Sequence, residues 1–313
     1  MDFNDVLNPR IPVGEWVNSV LNWMTENLSA IFDFFQMILE GFHEGLYFVL
    51  SQPPYYVIIV VFAAIAWLAS GWRLAVFTAV GFYLVRAFDQ WNNSMNSIAL
   101  VLVAVVIAIL LSIPLGIWAA RSDTVSRIVK PALDLMQTMP ALVYLVPAIT
   151  IFSVGPAPGA IATLIFAMPP GVRLTELGIR GVDKEVVEAG NAFGATKGRI
   201  LRQIQLPLAL PTIMAGINQV IMLALSMVVL AGMAGAEGLG GAVVSSLQNL
   251  NVPLGVDAGL AVVIIAIYLD RLSNAIGTRS SRVGSKKRKK AADSPESTET
   301  ADAEPADSAT PTG

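Results

Sequence analysis

Residues 188–207 read EAGNAFGATKGRILRQIQLP and lie in the largest charged gap between the hydrophobic segments of the chain. Part of this stretch follows the order E-A-x₄-G-x₉-I-x-L-P, formed by Glu188, Ala189, Gly194, Ile204, Leu206 and Pro207. With residue types near their average usage, this order arises by chance at about 10⁻⁷ per starting position. The spacing therefore indicates a motif, and its meaning depends on where the rest of the chain places it.

The composition is typical of a polytopic membrane protein. Hydrophobic residues make up 55% of the chain and charged residues only 14%. Several apolar stretches are long enough to cross a hydrocarbon core of about 30 Å as helices, and no alternating pattern of a β-barrel dominates. The chain has no cysteine, and its one histidine, His43, has no second imidazole with which to share a metal. We therefore expect no metal site and a solvated or interfacial imidazole.

The hydrophobic segments predict an all-α integral membrane protein with about seven transmembrane helices. The expected spans are residues 53–71, 74–91, 97–120, 132–153, 157–177, 207–233 and 256–277. Prolines within these segments would kink the helices, namely Pro114, Pro140, Pro147, Pro169 and Pro170. Residues 31–50 instead have polar side chains at three- and four-residue spacing, which indicates an amphipathic helix on the membrane or against the bundle. An eighth span is the alternative for that segment.

These features divide the chain into four parts. Residues 1–52 form an N-terminal segment with the amphipathic helix, and residues 53–94 form two accessory transmembrane helices. Residues 95–279 form a core of five helices that contains the charged loop 178–206. Residues 280–313 form a tail, first basic and then acidic, whose low apolar content predicts disorder.

Lysine and arginine predict the orientation in the membrane. Eighteen of the twenty bases fall in alternate loops, whereas residues 131–172 and 203–270 contain none. This distribution predicts an extracytoplasmic N-terminus and a cytoplasmic C-terminus. It also puts the charged loop 178–206 in the cytoplasm.

Local signals predict a helix–turn–helix knob in this loop. Asp183 can cap a short helix that begins near Lys184, and Gly194 fits the left-handed position that ends a helix. Thr196 can cap a second short helix that runs to Leu206. Pro207 then starts the next span at a position where its missing N–H costs nothing.

The knob would be suited to contact with another protein. Ala189, Gly190 and Gly194 are small, so a second backbone could approach closely there, and charged side chains surround them. An amphipathic loop that lies against lipid headgroups is the alternative. The chain contains no G-x-x-x-x-G-K-[ST] phosphate loop, so any ATPase that drives it must be another subunit.

Three further stretches resemble one family of transporters. They are PALDLMQTMP at residues 131–140, FAMPPGVRLTELGIR at 166–180 and LPLALPTIMAGINQVIMLALSMVV at 206–229. Together with the motif at 188–207, they are similar to the permease subunits of bacterial ABC importers for glycine betaine and proline, which take up compatible solutes and quaternary ammonium compounds. The resemblance covers about residues 95–277, and Gly190 stands where many ABC permeases have alanine.

The resemblance implies a type I importer fold in the bacterial inner membrane. Its implied partners are two ATPase subunits that bind ATP and Mg²⁺, an extracytoplasmic substrate-binding protein and a second permease copy; no nucleic-acid partner is expected. The chain itself would hold no cofactor and no catalytic residue. The loop that couples it to the ATPase would use Glu188, Ala189, Gly190, Gly194, Ile204, Leu206 and Pro207.

Candidates for lining the transport pathway lie on the fourth to sixth spans. They are Met136, Met139, Tyr144, Met168, Asn218, Met222 and Ser226. For each methionine, packing against lipid or the core is the competing interpretation. In the tail, Lys286, Lys287, Arg288, Lys289 and Lys290 could contact anionic lipid at about 1 kcal/mol per base and so sense ionic strength. A simple positive anchor is the alternative.

Two other classes of function compete with this interpretation. The same architecture could carry choline, carnitine or another amino-acid-like solute. A secondary transporter or channel without an ATPase is the other class, and it would need charged groups within the spans. Asp134, Glu176 and Asp270 all lie near predicted cytoplasmic ends, which argues against a proton relay, and no paired carboxylates suggest a membrane enzyme.

Overall fold

The computed structural model describes residues 12–292, with side chains for all of these except residue 276 and residues 278–292. Short turns join the helices of this range. In chain order these helices are α1 (Val13–Asn27), α2 (Ser29–Ser51), α3 (Tyr55–Ser70), α4 (Trp72–Ala87), α5 (Trp91–Arg121), α6 (Asp123–Thr138), α7 (Ala141–Phe152), α8 (Pro156–Arg180), α9 (Lys184–Ala192), α10 (Lys197–Ile200), a π-helical segment (Leu201–Gln205), α11 (Leu206–Ser226), α12 (Val228–Met233), α13 (Leu239–Gln248) and α14 (Val252–Ala292).

Helices α5, α8 and α11 form the centre of the fold, with α8 packed against both of the others. Helices in lipid associate through close packing at small residues, because lipid tails are as apolar as the side chains. Gly116 of α5 illustrates this: a Cβ added there would lie 2.6 Å from the Cβ of Thr175 and 2.8 Å from the carbonyl oxygen of Val172. Glycine at position 116 therefore sets how closely α5 approaches α8.

Four helical stretches are long and apolar enough to cross a membrane. They are Trp91–Arg121, Pro156–Arg180, Lys197–Met233 and Val252–Ala275. Two helix pairs, α2 with α3 and α6 with α7, meet the same criterion together but bend by 102° and 99°. The described residues thus carry four to six candidate spans, which confirms a helical membrane protein but not the count of seven.

The two accessory spans predicted at 53–71 and 74–91 are shorter than expected. Helices α3 and α4 have 16 residues each, which is about 24 Å of helix and less than a hydrocarbon core. They are fixed to α14 by an aromatic cluster of Phe62, Phe82 and Tyr268, whose ring centroids are 5.0–5.4 Å apart. Edge-to-face and offset contacts between aromatic rings are favourable, so this cluster stabilises the packing of α3 and α4 against α14.

The span predicted at 132–153 is wrong as a single element. The chain forms α6 and α7, which meet at 99° around Met139 and Pro140. Met139 is extended, with ψ of 138°, because a residue before proline is disfavoured in the helical region. The expected proline kink is therefore a full break between two helices.

The N-terminal part is more helical and more closely packed than expected. Helix α1 begins directly after Pro12, and α2 covers the predicted amphipathic helix 31–50. The expectation of a solvated His43 is wrong, since its side chain is buried and its Nε2 lies 3.0 Å from Oδ1 of Asn96 on α5. The imidazole thereby ties α2 to the core, a role that depends on a partner 53 residues away.

The last helix also differs from expectation. Helix α14 continues to Ala292, whereas the sequence predicts disorder from residue 280. Lysine and arginine are good helix formers, so the basic segment extends a helix that the core has already started. The acidic end of the tail, residues 293–313, lies outside the described residues.

Substitution of Gly116 tests the close approach of α5 and α8. Gly116→Ala should lower the stability of the purified protein by about 1–3 kcal/mol, because the new methyl overlaps Thr175 and a backbone carbonyl. Gly259→Ala on α14 is the matched control, since an added Cβ there meets nothing within 4 Å. Thermal unfolding in detergent measures both, and equal melting temperatures would contradict the proposed packing.

Candidate functional site

Helix α9 begins and ends where the sequence predicts. The carboxylate of Asp183 accepts a hydrogen bond of 3.0 Å from the backbone N–H of Glu185 and so caps its first turn. At the other end, Gly194 has a φ of 73°, and its N–H donates to the carbonyl of Asn191. The N–H of Ala195 donates to the carbonyl of Gly190, which completes a Schellman motif.

The second half of the segment runs into α11 without a break. The hydroxyl of Thr196 accepts a hydrogen bond from the N–H of Arg199 and caps α10, as predicted. The helix then widens to a π segment, in which the N–H of Leu206 donates to the carbonyl of Leu201. Pro207 has no backbone N–H, so it can donate neither an α-helical nor a π-helical hydrogen bond at this position. Pro207 stands in the first turn of α11, as predicted, and Lys197–Met233 together form one continuous candidate span.

The small residues of the motif do not all face outward. Glu188, Ala189 and Gly194 are exposed. Helix α9 forms a hairpin with α10 and the π segment. Gly190, in contrast to the exposed residues, packs inside this hairpin, because a Cβ added there would lie 2.7 Å from Cδ1 of Ile204. Gly190 and Ile204 therefore hold α9 against the π segment, and the approach of a partner's backbone to Gly190 stays a prediction.

Phe193 is the most exposed large side chain of this hairpin, at 92%. It stands at the tip, between the end of α9 and the left-handed Gly194. Phe193 is not part of the predicted motif, although it is the only aromatic residue in the sequence 173–207. An exposed ring at the apex of a rigid turn is the kind of anchor that dominates protein interfaces.

An ion-pair network around one buried carboxylate connects α8 to α6 just before the chain enters the hairpin. The carboxylate of Glu176 on α8 accepts a hydrogen bond of 2.7 Å from Ser126 and lies 3.2 Å from Nζ of Lys130, both on α6. Nε of Arg180 lies 3.0 Å from the same carboxylate. The side chain of Glu176 is only 6% exposed, so these donors offset the cost of burying its charge.

Further contacts of arginines on α8 extend the network along α6. Arg180 donates to Asp123 at 2.7 Å and to the carbonyl of Ala119 at 2.8 Å. Arg173 pairs with Asp134 near the other end of α6. Helix α6 is thus attached along its length to the lower half of α8, immediately before the chain enters the hairpin. The sequence predicts Asp134 and Glu176 near the cytoplasmic ends of two spans, without assigned partners.

The structure brings together some of the predicted pathway residues. Asn218, Met222 and Ser226 share one face of α11 and line a groove between α11 and α14 with a volume of about 440 Å³. Tyr144 donates its hydroxyl to the carbonyl oxygens of Leu135 and Met136. Met139 is partly exposed at the break between α6 and α7, and Met168 is half-buried on α8. Lining of a pathway by these residues stays a prediction.

A chain of amide hydrogen bonds joins Asp270 to α11. The amide of Asn218 donates to Asn274 at 2.7 Å, and the amide of Asn274 donates to Asp270 at 2.9 Å. Asp270 belongs to the candidate span Val252–Ala275 and lies near its end. Its position near the cytoplasmic end of the last span stays a prediction.

The basic residues Lys286, Lys287, Arg288, Lys289 and Lys290 belong to the last turns of α14. Their side chains lie outside the described residues. Contact with anionic lipid therefore stays a prediction.

Removal of the Glu176 charge tests the network between α6 and α8. Glu176→Gln should destabilise the protein by about 1–2 kcal/mol, less than a fully buried pair because Lys130 and Arg180 are partly exposed. Asp89→Asn removes the exposed pair with Arg86 and should cost about 0–0.5 kcal/mol. Denaturation of the two purified variants gives the difference, and equal losses would show that burial of Glu176 is unimportant.

Comparison with known proteins identifies the family. Residues 112–282 match the family described as "Binding-protein-dependent transport system inner membrane component". The glycine betaine transport system permease protein OpuAB of Bacillus subtilis is 46% identical over 276 residues, which is 88% of this chain and 98% of that protein. The glycine betaine/proline betaine permease ProW of Escherichia coli is 43% identical, over 88% of this chain and 78% of that protein.

Solved structures support the same fold. The inward-facing MetNI methionine ABC transporter is similar over 62% of this chain and 95% of the compared chain, with a TM-score of 0.54 and 20% sequence identity. At that identity the likeness concerns the fold alone. The chain belongs to the binding-protein-dependent transport system inner membrane components, and it is a permease subunit of an ABC importer that is not itself catalytic.

Proposed function

We propose that this chain forms the transmembrane pathway of an ATP-driven importer of glycine betaine and related osmoprotectants. Glycine betaine is proposed as the cargo because the chain is 46% identical, over 88% of its length and 98% of the other protein, to a permease named for glycine betaine transport. A glycine betaine/carnitine permease of Listeria monocytogenes is 43% identical. Permeases named for carnitine and for choline are about equally distant, at 31% and 30% identity. Those solutes are the alternative cargo.

The geometry supports coupling through the hairpin formed by α9 and α10. In an importer of this family, ATP and Mg²⁺ are bound by the partner ATPase, and the permease must receive motion from it. The rigid Schellman turn presents Phe193 and Gly194, together with exposed Glu188 and Ala189, to such a partner. These residues transmit force and perform no chemistry.

Two connections carry this motion into the membrane. The first is the continuous element Lys197–Met233, which joins the hairpin to the face of α11 with Asn218, Met222 and Ser226. The second is the network around Glu176, which couples α8 to α6. A shift of the hairpin therefore moves both flanks of the proposed pathway together, as alternating access between the two membrane faces requires.

The assembly we propose has two permease copies, two ATPase subunits and one extracytoplasmic binding protein. The distribution of lysine and arginine supports an N-terminus outside and a C-terminus in the cytoplasm. The family favours ATP-driven import over a secondary transporter, because its members are components of binding-protein-dependent systems.

We further propose that the basic end of α14 contacts anionic lipid and that rising internal salt weakens this contact. Uptake by the full chain and by a chain ending at residue 285 would be compared in liposomes at increasing internal ionic strength. The proposal would be contradicted if uptake by both chains increased equally with internal ionic strength.

Reconstitution of the complete importer tests the function and the cargo. The permease should co-purify with an ATPase, and glycine betaine with the binding protein should stimulate ATP hydrolysis and drive uptake into proteoliposomes. Choline and carnitine, offered in parallel, decide between the alternative cargoes. Uptake that follows an ion gradient in the absence of any ATPase would contradict the proposal.

Substitution of the exposed aromatic residue tests the coupling surface. Phe193→Ala should reduce binding of the ATPase at least tenfold while leaving the melting temperature of the permease unchanged, because the ring buries almost no surface within this chain. Phe48→Ala removes an aromatic ring that is 60% exposed on α2, away from the hairpin, and is the control. Affinity of the purified ATPase for the three permeases gives the result; equal affinities would exclude Phe193 as an anchor.

A further inference from the structure

We infer that the groove between α11 and α14 is a transient binding site for the zwitterionic solute, with Asp270 facing its quaternary ammonium end and Arg271 its carboxylate end. This inference rests on the proposed function and assigns the site within the permease at which the cargo is held during passage. It concerns Asp270 and Arg271 of α14, which lie outside the motif at residues 188–207.

The groove contains charged groups that the described residues leave without an ion pair. Its lining includes Asp270 and Arg271, and neither forms a salt bridge within the part of the chain whose side chains are described. Asp270 instead accepts one hydrogen bond of 2.9 Å from Asn274, which orients its carboxylate. Asp270 belongs to the candidate span Val252–Ala275, and a carboxylate within a span is costly unless it has a function or a partner.

A second polar group in the groove also lacks a partner. The side-chain carbonyl oxygen of Asn218 is buried and accepts no hydrogen bond among the described residues. Its amide is already used to hold Asn274. A buried carbonyl oxygen without a donor is stabilised when a cation or a water molecule comes within reach.

The apolar walls of the groove suit a methylated ammonium group. They are formed by Ile221, Met222, Leu225, Val262, Ala266 and Ile267. A quaternary ammonium has no N–H to donate, so it is held by charge and by apolar contact with its methyl groups rather than by directed hydrogen bonds. The groove volume of about 440 Å³ lies within the range of small-molecule pockets, about 300–1,000 Å³.

Opposite charges on adjacent residues select for a zwitterion. Asp270 and Arg271 follow one another on α14 and both line the groove, so it offers an anion and a cation within the length of a small solute. A betaine satisfies both charges, whereas choline satisfies only the carboxylate and leaves the guanidinium unpaired. The site therefore favours betaines and carnitine over choline by electrostatic complementarity.

The absence of cysteine from the sequence allows a direct test of this site. Met222→Cys introduces one thiol into the groove of the assembled importer in proteoliposomes. Its labelling rate is measured with three methanethiosulfonates: a trimethylammonium reagent, a neutral hydroxyethyl reagent and an anionic sulfonate. We expect both charged reagents to react faster than the neutral one, and saturating glycine betaine to slow all three.

Charge-neutralising variants assign the effect to the two residues. In the Met222→Cys background, Asp270→Asn should lower the rate of the trimethylammonium reagent relative to the neutral one by about tenfold. Arg271→Gln should do the same for the sulfonate. Asp257→Asn, on the outer part of α14 and outside the groove lining, is the matched control and should change neither ratio.

The outcomes separate this inference from the proposed function. If the thiol is not labelled in the assembled importer, a second copy or another subunit covers the groove and the inference is overturned. It is equally overturned if the charge preference persists in Asp270→Asn and Arg271→Gln. Loss of the charge preference in these variants supports the site even where uptake assays show that the cargo is a zwitterion other than glycine betaine.

Discussion

The close approach of α8 to α5 and α11 is the constraint on which the rest of this structure depends. Within a membrane the hydrophobic effect does not draw helices together, so contact at glycine and small side chains has to do so. Gly116 and the opposing Thr175 set that distance. Once it is set, Glu176 one residue further along α8 comes within reach of Ser126 and Lys130, and the polar network closes around it.

The features that the sequence predicts well are local ones. Asp183, Gly194 and Thr196 each act on backbone groups a few residues away, so their roles follow from turn and cap chemistry. The four long apolar helices follow equally from composition and length. The hairpin was therefore foreseeable almost to the residue, together with its place in a transporter family.

The features that the sequence did not predict depend on contacts between distant helices. His43 is buried because Asn96 happens to face it, and Gly190 is internal because Ile204 folds back over it. The break at Pro140 lies between these cases, because the proline predicted a kink but not the angle of 99° between α6 and α7.

The π segment between the hairpin and α11 limits which insertions and deletions this protein can tolerate in evolution. A π turn contains one more residue than an α-helical turn, because its hydrogen bonds run from residue i+5 to residue i. Leu201–Gln205 form such a turn between the α-helical segments on either side. Loss of one residue there would restore an ordinary α-helix and turn the hairpin by about 100° relative to the groove-facing side of α11. The number of residues between 194 and 218 thus fixes the rotation of the hairpin about the helix axis, relative to the groove-facing side of α11. Insertions and deletions in that interval should be far less tolerable than substitutions.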